Sequence, residues 1–255
     1  MKVIFLGTGE AFDERYPNHS HLVLSENTAL MLDCGDSAVR QLWKYTQDHS
    51  LVDALYITHR HSDHLFGIPA LLGRMLEEER KKDLAIICSE QVKADIERLC
   101  QHAYFGIDSY GFKINFIMAE DGKEIQFNDL KLSFAKTGHT AYNLAIRIDD
   151  LPRGKAGGNK VVCYSGDGPF DEGTEKIYKN ADILMHECYM FDQRIKGHVA
   201  AVDVFEMAKR QNVKCLALAH FKRAFNDETR KKVKEAIPST GLKIILPNPL
   251  EEYTA

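Results

Sequence analysis

The segment Thr58-His59-Arg60-His61-Ser62-Asp63-His64 sets three imidazoles and a carboxylate within six positions, directly after the apolar run Leu55-Tyr56-Ile57. Imidazole nitrogens and carboxylate oxygens are the donors that hold divalent metal ions. Packing alone does not ask for them at this density. At the exit of a buried strand, the segment reads as half of a two-metal site. The chemistry of such a site is metal-assisted hydrolysis. Paired ions lower the pKa of a shared water and neutralise charge on a phosphoryl or acyl oxygen in the transition state.

Three further strand-like runs end in a ligand-type side chain: His139 after Ala135, Asp167 after Ser165, and His220 after Ala219. A sheet holds its exit positions rigidly, so functional side chains gather there. Each of these residues alone is also an ordinary core, turn or surface group. Together with the histidine segment they point to one edge of a layered structure.

The elements that must position them can be read from apolar periodicity. Val3 to Leu6 predicts a first strand, ended by Gly7-Thr8-Gly9. His21–Leu24 and Ala29–Leu32 predict a hairpin around Glu26-Asn27. Ser37 is expected to cap a helix through Val39, Leu42 and Trp43. Ala54–Ile57 is a strand, Ile68–Glu79 a helix, Leu84–Cys88 a strand and Val92–Leu99 a helix. Lys113–Met118, Glu124–Phe127 and Lys131–Ala135 are expected to form an antiparallel set. Asn143–Ile148 and Lys160–Ser165 are strands, separated by the Gly- and Pro-containing loop Leu151–Asn159. Ile183–His186, ended by Glu187, and Lys214–Ala219 are strands around the helix Val199–Gln211. A helix over Asp227–Ala236 and a strand over Leu242–Leu246 follow. Antiparallel strands first, then strands alternating with helices, predict an α/β layered sheet as one domain over residues 1–255. The order allows an internal βα duplication, although no sequence repeat stands out.

The chain has 255 residues, a net charge of −4, and 44% hydrophobic residues. That is enough to bury a sizeable core. It offers no strong basic field for long nucleic acid. The clusters Arg80-Lys81-Lys82, Lys222-Arg223 and Arg230 to Lys234 read as solvated helix faces. The six cysteines contain no CxxC pair and read as buried thiols of a reducing cytoplasm. No signal-peptide core or membrane-length apolar run is present, so a cytoplasmic protein without membrane contact is expected.

The segment His59-Arg60-His61-Ser62-Asp63-His64 matches the HxHxDH signature of the metallo-β-lactamase fold superfamily. With Gly7-Thr8-Gly9, Leu32-Asp33-Cys34-Gly35, Ser165-Gly166-Asp167, His186-Glu187 and Leu218-Ala219-His220-Phe221, the chain resembles the ribonuclease Z branch over nearly its whole length. The resemblance implies a four-layer αββα sandwich. It implies that His59, His61 and His139 hold one ion, that Asp63, His64 and His220 hold the other, and that Asp167 bridges them. Zinc is the expected metal of both sites, and the ligand set also accepts manganese or iron. His198 matches the branch's catalytic histidine, acting near the leaving group. Glu187 matches an acidic residue that orients it, and Asp63 carries a proton-handling role besides ligation. Asp33 supports the metal loop from behind. Homodimers are common in the branch. His19 and His21 lie in a loop that touches substrate in the branch, but His19 reads more simply as a surface residue. His49 and His102 read as solvent-facing.

One departure limits the resemblance. Ribonuclease Z carries a long arm, which grips tRNA, between its third metal histidine and its bridging aspartate. Here only 28 positions separate His139 from Asp167. A missing basic arm removes many phosphate contacts. The preferred expectation is therefore a dinuclear-metal phosphodiesterase, with a metal-bridging hydroxide, acting on a small phosphodiester or an RNA end. The loop's Arg153 and Lys155, with Lys160, offer a smaller anionic contact. Alternatives are a tRNA 3′-processing endonuclease, a hydrolase of lactones, thioesters or sulfate esters on the same fold, and a non-catalytic metal-bound module.

Overall fold

The computed structural model describes residues 1–103, 106–151 and 159–255. The loop residues Arg153 and Lys155 lie outside them. By its contacts the chain divides into two compact units, one of residues 2–120 with 249–253, the other of residues 121–248 with 1 and 254–255.

The first unit is built on a seven-stranded sheet. Its strands are β1 (Lys2–Gly7), β2 (Ser20–Leu24), β3 (Ala29–Leu32), β4 (Ala54–Tyr56), β5 (Leu84–Cys88) and β6 (Ile114–Met118), with the late strand β14 (Glu252–Thr254) beside β1. β1, β2 and β3 pair antiparallel, and β3 to β6 pair parallel. The parallel strands are continuous apolar runs because both of their faces are covered. Every residue of Leu84–Cys88 is buried. Helices α1 (Asp36–Tyr45), α3 (Ile68–Glu77) and α4 (Glu90–Ala103) lay their apolar stripes on one face of this sheet. In α1 that stripe is Ala38, Val39, Leu42 and Trp43. Between β4 and α3 lies the one-turn helix α2 (Ser62–Leu65), which contains half of the histidine segment.

The second unit repeats the scheme. β7 (Glu124–Phe127), β8 (Leu130–Lys136), β9 (Leu144–Asp150) and β10 (Val161–Tyr164) pair antiparallel. β10, β11 (Ile183–Glu187), β12 (Leu216–Ala219) and β13 (Ile244–Ile245) pair parallel. Helices α5 (Glu172–Tyr178), α6 (Ala201–Arg210) and α7 (Asn226–Thr240) carry residues of its helix-side core, including Tyr178, Val204, Met207 and Val233. The order antiparallel-then-parallel is thus used twice, β1 to β6 answering to β8 to β13. Asp33 after β3 corresponds to Asp167 after β10, and the histidine segment after β4 corresponds to Glu187 at the end of β11. The duplication is one of topology. Apart from the aspartate pair, the residues at equivalent strand exits differ, so the repeat does not stand out in the sequence. Among the described residues, no helix is long and apolar enough to cross a membrane.

Several expectations need correction. Residues 113–118 do not join an antiparallel set: β6 pairs parallel with β5, because α4 carries the chain across before it. Ser37 does not cap α1. The cap position is Gly35, and the Ser37 hydroxyl instead accepts from the Asn18 backbone N–H at 2.7 Å. His19 is fully buried rather than on the surface, with its ring edge-on to that of His21, 4.7 Å between centroids. Burial holds the His21 imidazole down at a pKa of about 3, so it packs as a neutral ring. The helix α5 and the strand β14 were not anticipated; α5 is announced only by the capping box of Asp171 and Thr174.

Arg80 is the sharpest of these corrections. It is 1% exposed, not part of a solvated face. Its guanidinium donates to the carbonyl oxygens of Lys82 at 2.7 Å, His49 at 2.8 Å, Val52 at 2.9 Å and Asp83 at 2.8 Å. It therefore ties the approach to β4 to the approach to β5. We predict that Arg80→Ala lowers the unfolding free energy by about 3 kcal/mol or more, because it leaves several buried carbonyls without donors. Urea unfolding checks this; a loss below about 1 kcal/mol would show that water replaces the guanidinium.

Candidate metal centre

In the first unit, the metal segment is built around the Asp33 carboxylate, which is fully buried. Asp33 Oδ1 accepts from the Thr58 backbone N–H at 2.8 Å, and Oδ2 accepts from the Thr58 hydroxyl at 2.9 Å. Oδ2 also lies 2.6 Å from His64 Nδ1. The Thr58 hydroxyl, having given its proton to Asp33, accepts from His59 Nδ1 at 3.0 Å. One carboxylate thereby puts the Nδ1 proton on both His59 and His64, directly or through Thr58, and leaves the lone pair on Nε2 of each. The backbone around it is equally tied. Cys34 N–H donates to His64 O at 2.7 Å, and Gly67 N–H donates to Cys34 O at 2.9 Å. The Asp33 turn approaches the histidine loop so closely that a Cβ on Gly35 would lie 2.0 Å from the Asp63 carbonyl oxygen. Asp33 itself has φ 56°, a left-handed conformation that costs of order 1 kcal/mol or more outside glycine and is found at functional turns.

The side chains so arranged are of one kind. The His59 ring centroid is 4.7 Å from that of His61 and 4.1 Å from that of His64. His64 Nε2 lies 3.1 Å from Asp63 Oδ2. With the proton on Nδ1, this contact sets a nitrogen lone pair against a carboxylate oxygen. A cation bound by both resolves the repulsion, so the donors fit a divalent ion.

In the second unit, β8, β10, β11 and β12 each end in a candidate residue. His139 Nδ1 lies 2.7 Å from the Gly197 carbonyl oxygen, which again leaves the lone pair on Nε2. Asp167 is 2% exposed and held by its backbone. Its N–H donates to Asn143 Oδ1 at 3.2 Å, and its carbonyl accepts from the Thr137 hydroxyl at 2.6 Å. Gly168 beside it, at φ 102°, has no room for a side chain: a Cβ would lie 2.5 Å from the His139 backbone nitrogen. His220, at φ 60°, brings Nε2 to 3.5 Å from Asp167 Oδ2. That places an imidazole and a carboxylate at the separation of two ligands of one ion.

Glu187 is fully buried and serves two purposes. Oε1 accepts from the Gly168 backbone N–H at 2.6 Å, which secures the Asp167 turn. Both carboxylate oxygens lie 3.1 Å from His198 Nδ1. Burial disfavours the His198 imidazolium, but the Glu187 hydrogen bond and the charges of Glu187 and Asp167 outweigh it. The net effect raises the His198 pKa from its ordinary value. The structure therefore brings Glu187, His198 and His220 into one group, as it does Asp167 and His220. Residues to which the sequence assigned no role also support the site: Thr58, Asn143, Ser165, whose hydroxyl accepts from the Glu187 N–H at 3.0 Å, and Tyr189, which lies flat on His198. The strand-exit position is the only sign that could have marked them. His102 is exposed as expected, and His49 is half-buried.

Among solved structures, the chain is similar to human tRNase Z, short form, with a TM-score of 0.79 and 19% identity over 100% of this chain and 99% of that one. It is similar to the metallo-β-lactamase fold protein YhfI from Bacillus subtilis, with a TM-score of 0.77 and 22% identity over 99% and 98% of the two chains. It is also 26% identical to ribonuclease Z of Archaeoglobus fulgidus, over 92% of each chain. The fold and the ribonuclease Z relatives define a metallo-β-lactamase fold hydrolase, with the α/β class expected from the sequence. Within that class, the chain belongs to the Anti-Pycsar protein Apyc1 family, whose model matches residues 1–237.

Asp33 offers a direct test of the outer support. We predict that Asp33→Ala weakens metal binding about 10- to 100-fold, since it frees the tautomers of His59 and His64 together. Competition with a chromogenic chelator measures this, and unchanged affinity would remove Asp33 from that role.

Proposed function

We propose that this protein is a dinuclear-metal phosphodiesterase acting on small phosphodiesters. In this reading, which follows the ribonuclease Z resemblance, His59, His61 and His139 would hold one ion, Asp63, His64 and His220 the other, and Asp167 would serve both. The observation that carries it is the fixed tautomer of three histidines: Asp33, Thr58 and the Gly197 carbonyl take the Nδ1 protons, so each Nε2 carries a lone pair. A structural histidine has no need of such uniform outer bonding. Zinc is the metal we expect, with manganese or iron as substitutes.

When bound, the ions supply a water nucleophile of lowered pKa and neutralise charge on the phosphoryl oxygens. The chain's own residues do the rest. Glu187 holds the Nδ1 proton of His198, so that Nε2 faces the reaction. The raised pKa keeps the imidazolium available, and His198 gives its Nε2 proton to the departing oxygen. Asp63, buried beside His64, takes part in ligation and in handling the proton of the attacking water.

The substrate reading rests on charge and chain length. The net charge is −4, and the interval from His139 to Asp167 has no room for a tRNA-gripping arm. The family description, Anti-Pycsar protein, supplies the biological setting we propose for the activity. Buried free thiols at all six cysteines suit the reducing cytoplasm we assign to it. The relatives named ribonuclease Z favour a second reading, an endonuclease on RNA 3′ ends, and the same experiment separates the two. We expect the zinc- or manganese-loaded protein to hydrolyse bis(p-nitrophenyl) phosphate and cyclic nucleotides, and to leave a lactone and a tRNA precursor intact. Efficient cleavage of the precursor at the tRNA 3′ end would overturn the preference for small substrates.

Two sets of variants test the assignments. His61→Ala and Asp167→Ala should lose metal and turnover together, and chelation of the native protein should abolish activity until metal is restored. His198→Ala should retain its metal content, measured by elemental analysis, while kcat falls about 100-fold or more. Wild-type turnover in His198→Ala excludes it as the proton donor.

A further inference from the structure

His198 is held to Glu187 through one ring atom only. A bond at Nδ1 selects the tautomer, but it leaves the imidazole able to tilt about the hydrogen-bond direction. That tilt moves Nε2, the atom that must meet the reacting oxygen. A second contact is needed to set the plane of the ring, and of the rings beside His198 (His139 at 5.4 Å, His220 at 5.8 Å and Tyr189) that of Tyr189 is the nearest and the most nearly parallel. The Tyr189 ring lies 4.2 Å from the His198 ring, centroid to centroid, with 14° between the planes.

Tyr189 is itself well anchored for this purpose. It directly follows β11 and Cys188, whose N–H donates to Ala219 O at 2.9 Å. Its own N–H donates to Val199 O at 3.1 Å, and its carbonyl accepts from Lys222 N–H at 2.9 Å. The first bond joins it to the residue after His198, and the second to the residue two beyond His220. Its ring centroid lies 6.2 Å from that of His220. The backbone before His198 is fixed as well, since the Gly197 carbonyl is engaged by His139.

We propose that Tyr189 is a positioning residue for the reaction: its ring face sets the plane of the His198 imidazole, and Glu187 sets the tautomer, so that Nε2 points at the departing oxygen. This rests on the role proposed above for His198. Flatness and area are what the contact needs, and the phenol hydroxyl is not part of it. A phenyl ring therefore serves, and an aliphatic side chain of similar bulk does not.

The test uses the metal-loaded full-length protein and bis(p-nitrophenyl) phosphate. Tyr189→Leu should lower kcat about 10- to 100-fold, the scale of a misplaced catalytic group, with KM and metal content unchanged. Tyr189→Phe should restore most of that loss. In a His198→Ala background, Tyr189→Leu should have no further effect. Histidine-selective NMR gives a readout independent of turnover. The stacked ring shifts the His198 ring protons upfield; Tyr189→Leu should abolish the shift and broaden the resonances, and Tyr189→Phe should keep both as in the native protein. Native kcat in Tyr189→Leu, or damage in Tyr189→Phe equal to that in Tyr189→Leu, overturns the proposal. Native activity in His198→Ala would instead defeat the underlying role of His198. Should the native protein fail to cleave the probe, His198 resonances in Tyr189→Leu that stay sharp and keep the native upfield shift still overturn the positioning claim.

Discussion

The Asp33 carboxylate is the constraint on which the first half of the site depends. A fully buried ionised group is costly unless its oxygens are met by donors. Here the Thr58 backbone, the Thr58 hydroxyl and His64 meet them, all within 2.6 to 3.1 Å. The same bonds that satisfy the carboxylate orient two imidazoles. Stability of the turn and readiness of the donors are therefore one property. The burial of Asp33 makes the network rigid, and the network gives His59 and His64 the same tautomer. Ligands arranged in advance lose little freedom when an ion arrives, which is how a fold converts its own packing into affinity.

Glu187 plays the corresponding part in the second unit, with a different division of labour. One carboxylate oxygen supports the glycine-flanked turn that presents Asp167, and both face His198. The candidate bridging ligand and the candidate proton donor are thus linked through a single buried acid. The topological repeat clarifies this likeness. Each unit places its acids and histidines at the ends of its first parallel strands, where the sheet is stiffest and the loops are free to vary. The repeated scheme offers two equivalent strand-end rims, one occupied by the histidine segment and the other by Asp167 and Glu187.

Much of this was legible in the residues, for a physical reason. His59, His61, Asp63 and His64 fall in one short run, so a cluster of donor-type residues shows without knowledge of the fold. Strand exits at His139, Asp167 and His220 are marked by the end of an apolar run, a local signal. What was not legible depends on partners distant in the chain. Arg80 looks like part of a basic surface cluster until the carbonyls of His49 and Val52, some thirty positions earlier, close over it. His19 looks like a loop residue until the bridge between Gly9 and Asn18 draws it inward. Residues 114–118 have the pattern of an antiparallel strand, yet α4 delivers them parallel to β5. In each case the side-chain type was read correctly and its surroundings were not.

The same division separates chemistry from substrate. Metal donors and their supports lie at strand ends, where a few local contacts determine their geometry, so the reaction class follows from short motifs and their hydrogen bonds. Substrate choice depends on loops and on the charge around the site. Those features vary most freely in a fold that hosts many hydrolases. The interval between His139 and Asp167 illustrates the point. Thr137, just after β8, and Asn143, just before β9, hold the Asp167 turn, so its geometry does not depend on the length of the connection that follows β9. The residues proposed to carry out hydrolysis are thus positioned by contacts separate from the loops on which substrate choice depends.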